Sequence, residues 1–98
     1  MSLLRAQAEI VLDYWQRRSG VKPRSEGILG GYLKRLEKRI SEGFSVRELQ
    51  RCVDVACWDQ FYLEHGYHKM PEVIFRNAER VNRLLSIAEH EQRRPLPL

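Results

Sequence analysis

The chain has 98 residues, a length that allows one domain with one modest core. Hydrophobic residues make up 43% and charged residues 31% of the chain. This composition excludes a chain that is a disordered tail as a whole. No apolar run approaches the roughly 18 residues that a membrane-spanning helix needs. The first residues lack the segments of a secretory signal, so we expect a cytoplasmic protein without membrane contact.

The 17 Lys and Arg residues outnumber the 13 Asp and Glu residues, which gives a formal net charge of +4. Residues 1–49 hold 10 basic and 6 acidic side chains, whereas residues 50–98 hold 7 of each; the stretch 16–39 alone holds 8 basic and 2 acidic ones. This asymmetry favours an anionic partner, nucleic acid first. A surface that is basic only for solubility is the alternative.

Four stretches of apolar residues recur at helical spacing, and no strand pattern of comparable quality occurs. The first stretch predicts a helix over residues 3–18. Gly20 is a typical residue at the end of a helix, and Pro23 prevents the helix from continuing.

The second predicted helix follows Ser25, a typical N-cap, and ends before Gly43. Gly27, Gly30 and Gly31 fall in its first turns, where each glycine costs up to about 1 kcal/mol relative to alanine. These glycines indicate either that the helix begins late, near Gly31, or that another backbone approaches it closely.

The third predicted helix has the clearest start, because residues 45–48 have the Ser-x-x-Glu form of a capping box. We expect this helix to end near Tyr62. Cys52 and Cys57 lie inside it about 140° apart around the axis, so they cannot form a disulfide with each other. We therefore expect reduced thiols, with Cys57 packed in the core.

A polar connection over residues 64–69 precedes the fourth predicted helix, in which Pro71 suits the first position and the apolar row continues to Ala88. The predicted fold class is all-α, a compact bundle of four helices with a short extra turn near Pro71. We expect a single helical domain over residues 1–92 and a frayed C-terminal tail over residues 93–98.

Motifs of catalysis and of metal binding are missing from the sequence. The glycine-rich run 27–31 lacks the Lys-Ser/Thr of a phosphate-binding loop, and neither a nucleophile elbow nor a zinc-protease motif occurs. The spacing of the two cysteines from His65 and His68 matches no strong zinc pattern. We therefore predict a protein that is not an enzyme and that uses no cofactor or metal.

The basic residues of the second helix repeat at a spacing that helix stability does not explain. Lys34 and Lys38 are four residues apart, as are Arg35 and Arg39, and like charges at this spacing repel by roughly a few tenths of a kcal/mol. Contacts with nucleic-acid phosphates would explain them. The residues that could join this face are Arg17, Arg18, Lys22 and Arg24. The alternative is that the long side chains cover apolar surface while their charges stay in water.

The arginines of the fourth predicted helix have a different explanation. Glu72 precedes Arg76 by four residues and Glu79 precedes Arg83 by four, which is the favourable order for ion pairs within a helix. We therefore interpret these arginines as stabilisers of a solvated helix face.

Most aromatic residues have core-compatible spacing, but Trp58, Tyr62 and Tyr67 could form an exposed anchor for a protein partner. They indicate an alternative function, a protein-interaction adaptor or a homodimer without direct DNA contact. No recognition helix of the helix-turn-helix type is evident, so we expect phosphate contacts rather than base-specific ones.

Three segments occur in an order that is typical of one family. Residues 11–22 contain the runs VLDYW and SGVK, residues 38–48 read KRISEGFSVRE, and residues 70–75 read MPEVIF before an apolar helix. In this order, the segments resemble the conserved C-terminal domain of phage replisome-organiser proteins. Met70 stands where that family has Arg, and Val73 stands where it has Thr.

The resemblance implies a small helical module of phage or prophage DNA replication. Such a module would contact DNA or recruit other replication proteins, for example a helicase or its loader. In that family a separate winged-helix part generally binds the origin, and this sequence has no such part. The chain is therefore expected to be either a stand-alone relative or an excised domain.

Overall fold

Residues 2–23 and 25–92 are described in the computed structural model, and they form six α-helices and one 3-10 turn without any strand. Four of these helices have 13 or more residues and correspond to the four predicted ones, so the all-α fold class is confirmed. The predicted frayed tail lies outside the described residues. The elements in chain order are α1 (Leu3–Ser19), α2 (Glu26–Ser41), α3 (Val46–Trp58), α4 (Gln60–His65), the 3-10 turn (Tyr67–Lys69), α5 (Pro71–Ile74) and α6 (Ala78–Gln92).

Capping residues define the ends of α1 and α2 and the start of α3, as the sequence predicts. Gly20 follows α1 with a left-handed backbone at φ 75°, and Gly43 follows the end of α2 at φ 112°. At the start of α3, the Ser45 hydroxyl accepts the N–H of Glu48 at 3.1 Å, and the Glu48 carboxylate accepts the N–H of Ser45 at 2.9 Å. The capping box is therefore confirmed.

Both expectations for the glycines of α2 are wrong. Ser25 caps the helix by accepting a backbone N–H at 3.2 Å, so α2 begins at Glu26 and includes all three glycines. A Cβ atom added at Gly30 or Gly31 would meet nothing within 4 Å, so no other backbone packs there. The helix tolerates glycine because its other side packs Leu36 into the core, and this packing outweighs the poor helix propensity.

The third predicted helix is interrupted at Asp59, before its expected end near Tyr62. Asp59 has an extended backbone at φ −69° and ψ 125°, and its carboxylate accepts the N–H of Tyr62 at 3.3 Å. Asp59 thereby ends α3 and caps the start of α4, which stops after six residues at Gly66. The interruption turns the chain so that Tyr62 packs into the core.

The extra turn predicted near Pro71 is the short helix α5, with Pro71 at its first position. The next helix, α6, begins separately after Asn77, whose side chain accepts the N–H of Arg80 at 2.7 Å. The fourth predicted helix is therefore two helices, and Arg76 lies in the connection between them.

Trp15 lies at the centre of the helical packing. Its ring is fully buried and meets the ring of Tyr32 edge-on, with the centroids 5.6 Å apart, while its Nε1 donates to the carbonyl of His68 at 2.9 Å. Arg5 near the start of α1 lies 3.2 Å from the carboxylate of Glu37 near the end of α2, so these two helices are antiparallel. α3 and α6 complete the core with Leu49, Cys52, Val53, Val55, Ala56, Val81, Leu84 and Ala88.

The two cysteines are free thiols that differ in burial. Cys52 is fully buried with its sulfur 3.6 Å from the carbonyl oxygen of Val81, and burial raises the pKa of Cys52 to about 12. Cys57 packs against the core but keeps part of its surface exposed. The expected absence of a bridge between them is confirmed, and the more deeply packed thiol is Cys52.

Gly31→Ala should raise the free energy of unfolding by about 0.5 to 1 kcal/mol, because the methyl group would lie in open space and alanine restricts the unfolded chain. Chemical denaturation followed by circular dichroism measures the change. Gly43→Ala is the matched control, and it should destabilise the protein because Gly43 has φ 112°. A loss of stability in Gly31→Ala would contradict the open helix face.

Alkylation of the folded protein at about pH 8 should modify Cys57 and leave Cys52 unmodified, because only a thiolate reacts and Cys52 is fully buried with its pKa raised to about 12. Burial also raises the pKa of Cys57, but part of the surface of Cys57 stays accessible to the reagent. Mass spectrometry of proteolytic fragments measures the two sites separately. Cys57→Ser should leave no thiol that reacts until the protein is unfolded in denaturant. Equal labelling of both cysteines in the folded state would show that the core around Cys52 opens readily.

Candidate nucleic-acid interface

The outer face of α2 carries two of the lysines that the sequence predicts as phosphate contacts. Lys34 and Lys38 are exposed, and neither forms an ion pair with a carboxylate among the described side chains. Arg35 is half-buried on the flank of the same helix, where its Nη1 donates to the carbonyl of Arg76 at 3.3 Å. Arg35 is therefore turned towards the connection between α5 and α6.

The prediction of a phosphate contact for Arg39 is wrong. Arg39 is only 4% exposed, and its Nε lies 3.0 Å from a carboxylate oxygen of Glu42. The position follows from helix geometry, since Arg39 is three residues after the buried Leu36 and so lies about 60° from it around the axis. The Nη1 atom of Arg39 is buried without a hydrogen-bond partner. Arg39 is a packed structural residue that a phosphate cannot reach.

The flanking cations near the end of α1 are matched by carboxylates. Arg17 lies 2.9 Å from Asp13, and Arg18 lies 2.9 Å from Asp54 of α3. Asp54 also accepts the hydroxyl of Tyr14 at 2.5 Å, and this hydrogen bond is the main cause that raises the pKa of Tyr14.

Of the other two flanking cations, Lys22 is exposed, and Arg24 lies outside the described residues. Because Arg17 and Arg18 already have acidic partners, the end of α1 does not add unpaired arginines to this face.

A second group of cations lies where the sequence predicted intrahelical ion pairs. Arg76 precedes α6, Arg80 and Arg83 follow on α6, and three adjoining surface depressions share Arg80. Arg35 of α2 lines one of these depressions. We call the surface lined by Arg35, Arg76, Arg80 and Arg83 the arginine groove.

The predicted ion pairs of these arginines are absent from the described side chains. Glu72 and Arg76 do not form one, because they do not share a helix once α5 ends at Ile74. Glu79 and Arg83 share α6, and they do not form one either. The interpretation of Arg76 and Arg83 as paired stabilisers is therefore wrong, and both guanidinium groups face the groove without an acidic partner.

Three carboxylates also line the depressions, one in each of them. Asp59 caps α4, and the Glu72 carboxylate, after burial, raises the pKa of Tyr32. Glu79 is exposed in the first turn of α6, where the helix dipole favours a negative charge. Four guanidinium groups thus share the groove with three carboxylates, which leaves a formal excess of one positive charge.

Tyr62 holds Arg80 in place. Its hydroxyl accepts Nη1 of Arg80 at 2.8 Å, and the guanidinium carbon lies 5.9 Å from the centroid of the tyrosine ring. Tyr62 is only 3% exposed, so its predicted role in an exposed protein-docking patch is wrong. The hydrogen-bond partner of the Arg80 guanidinium is a phenol and not a carboxylate, and Arg80 forms no ion pair among the described side chains.

The other aromatic residues near the groove form a small cluster. Phe61 is 52% exposed, and its ring packs against His65 with the centroids 4.4 Å apart. Tyr67 is half-buried and stacks on His65 at 5.0 Å. Trp58, at the end of α3, is 41% exposed, as the alternative protein-docking prediction requires.

Part of the arginine groove has a signal in the sequence. Arg80 and Arg83 are three residues apart, which places two cations on one side of α6. The Glu-x3-Arg spacing favours ion pairs instead, because Glu72 and Arg76 would pair if one helix continued from residue 72 to residue 76.

Comparisons of the chain with protein-family models, with curated proteins and with solved structures find no match. The resemblance to phage replisome-organiser domains therefore stays a prediction from sequence segments. No helix in the described part of the chain is long and apolar enough to cross a membrane.

Arg39→Ala should lower the free energy of unfolding by about 1 to 3 kcal/mol, because it removes a buried stem and leaves Glu42 without its partner. Arg39→Met keeps most of the buried stem and should recover much of this loss. Lys38→Ala, on the exposed side of the same helix, should change stability by less than about 0.5 kcal/mol. Urea denaturation distinguishes the three variants; an unchanged stability in Arg39→Ala would contradict the structural role.

Proposed function

We propose that the protein is a non-enzymatic nucleic-acid-binding module of phage-type DNA replication, which contacts the phosphate backbone through the arginine groove and the adjacent lysines of α2. The proposal rests on one observation: the arginines of the groove, together with Lys34 and Lys38, form no ion pair with a carboxylate among the described side chains. The replication setting rests on the resemblance of the sequence segments alone.

The chemistry of the groove suits phosphate oxygens. A guanidinium group presents several N–H donors in one plane, and Arg80 uses one of its nitrogens for Tyr62 and keeps the others for a ligand. Arg76 and Arg83 lie on either side of Arg80 along the chain, so one backbone could meet three cations in succession. Each phosphate contact releases condensed counterions, which makes the affinity sensitive to salt.

Lys34 and Lys38 extend this surface along α2. Their spacing places them on one exposed side of the helix, and Arg35 connects that side to the groove through its contact with Arg76. Lysine supplies charge without a fixed geometry, so these two residues add affinity that does not depend on base sequence.

The exposed indole of Trp58 favours a second candidate function, a protein-interaction adaptor that recruits a helicase, its loader or a second copy of the chain. Trp58 and the exposed Leu63 would supply the apolar contacts in that case. Analytical ultracentrifugation distinguishes self-association from a monomer. A monomeric protein would oppose the dimer. DNA binding that is unaffected by Trp58→Ala would oppose a role of Trp58 in DNA contact.

Replacing two cations of the groove, Arg76→Ala with Arg83→Ala, should weaken binding to generic DNA and reduce the slope of log affinity against log salt by roughly 1.4 to 1.8, because two phosphate contacts are lost. Lys34→Ala with Lys38→Ala should act in the same direction. Fluorescence anisotropy over a salt series, with single-stranded and duplex oligonucleotides, measures both effects.

Arg47→Ala is the matched control for these variants, because Arg47 is exposed on α3 and lines none of the three depressions. It should leave the salt slope nearly unchanged. Undetectable binding of the unmodified protein to both kinds of DNA at low salt would refute the proposed function, as would equal slopes for the groove variant and the control.

A further inference from the structure

We infer that the arginine groove selects single-stranded DNA by stacking an unpaired base on the ring of Phe61 while Arg80 and Arg83 hold the adjacent phosphates. This inference rests on the proposed function and specifies its ligand. The juxtaposition that carries it is one depression of about 400 Å³, in which Phe61 and Tyr67 lie together with Arg80 and Arg83.

The Phe61 ring is both exposed and held in position. About half of its surface is open to solvent, although a phenylalanine gains most free energy when it is buried. Tyr62 and Tyr67 meet the ring edge-on at centroid distances of 5.8 and 5.9 Å. The neighbouring His65 is fixed in turn by its Nδ1, which donates to the carbonyl of Phe61 at 2.8 Å. A ring fixed by its neighbours loses little conformational entropy when a base stacks on it.

The charges within the same depression determine the orientation of the bound strand. Arg80 and Arg83 form the α6 side, whereas Asp59 lies next to the aromatic rings at the start of α4. A phosphate is attracted to the α6 side and repelled at the Asp59 side. A neutral base is tolerated beside Asp59, so the base belongs over Phe61 and the backbone belongs over α6.

A single strand can place an unpaired base on the Phe61 ring and its phosphates beside the arginines of α6. A duplex can supply only the phosphates. In a duplex each base is stacked between its neighbours and paired with its complement, so its face is not free for a protein side chain. Stacking on an aromatic ring accepts any base and is worth about 1 to 3 kcal/mol per base, or about 5-fold to 150-fold in affinity. The depression therefore discriminates by strand state and not by base sequence.

The test uses three labelled oligonucleotides of about 12 nucleotides, a length within the range that single-strand sites cover: oligothymidylate, a duplex and an abasic strand with phosphates but no bases. The unmodified protein should bind oligothymidylate at least about 5-fold more tightly than the abasic strand. Phe61→Ala should remove this preference, and Phe61→Trp should retain it. Leu63→Ala is the control, because Leu63 is also exposed on α4, at 42% against 52% for Phe61, but does not line the depression.

The outcomes separate the inference from the proposed function. If all three oligonucleotides bind with the same affinity and the same salt dependence, the proposed function holds and base stacking is overturned. If Phe61→Ala weakens binding to the abasic strand as much as to oligothymidylate, the ring acts through the fold and the inference is again overturned. If no oligonucleotide binds, both fail. Circular dichroism of each variant verifies that the helical fold is retained.

Discussion

The hydrogen bond between Arg80 and Tyr62 connects the fold to the proposed interface, and it exists because the chain is interrupted at Asp59. A continuous helix through residue 62 would carry this tyrosine further along the α3 axis. The interruption instead packs Tyr62 into the core, where its hydroxyl reaches the guanidinium of Arg80 on α6. A rigid buried partner that carries no charge orients a cation without neutralising it. The same short helix presents Phe61 to solvent beside that cation.

Availability of charge, rather than its density along the chain, determines which cations can bind a polyanion. Residues 16–39 are the most basic stretch, yet Arg17 and Arg18 are matched by carboxylates and Arg39 is buried beside Glu42. The second half of the chain carries no net charge, yet it supplies three of the four arginines of the groove. Opposite charges that are balanced in number need not be paired in space, and a surface ion pair contributes little unless its geometry is good.

Local signals in the sequence predict much of the helical framework. The Ser45 capping box, the left-handed Gly20 and Gly43 and the first-position Pro71 all act within one turn of their own position, so their roles are independent of the rest of the fold. The break at Asp59 also has a local cause, since aspartate is a favoured N-cap. Hydrophobic periodicity does not indicate this break, because the apolar row of α3 continues past Asp59 to Phe61 and a continuous helix satisfies that periodicity equally well.

The amino-acid sequence determines the all-helical class, most helix boundaries and the apolar rows that form the core, because hydrophobic periodicity and capping depend on residues a few positions apart. It does not determine which charged side chains are neutralised. Arg18 meets Asp54 across two helices, Arg35 reaches the carbonyl of Arg76, and Arg80 meets Tyr62 across a turn of the chain. These partners are 18 to 41 residues apart in the sequence, and their contacts form only when the helices pack, so the position of the candidate interface is a property of the tertiary structure.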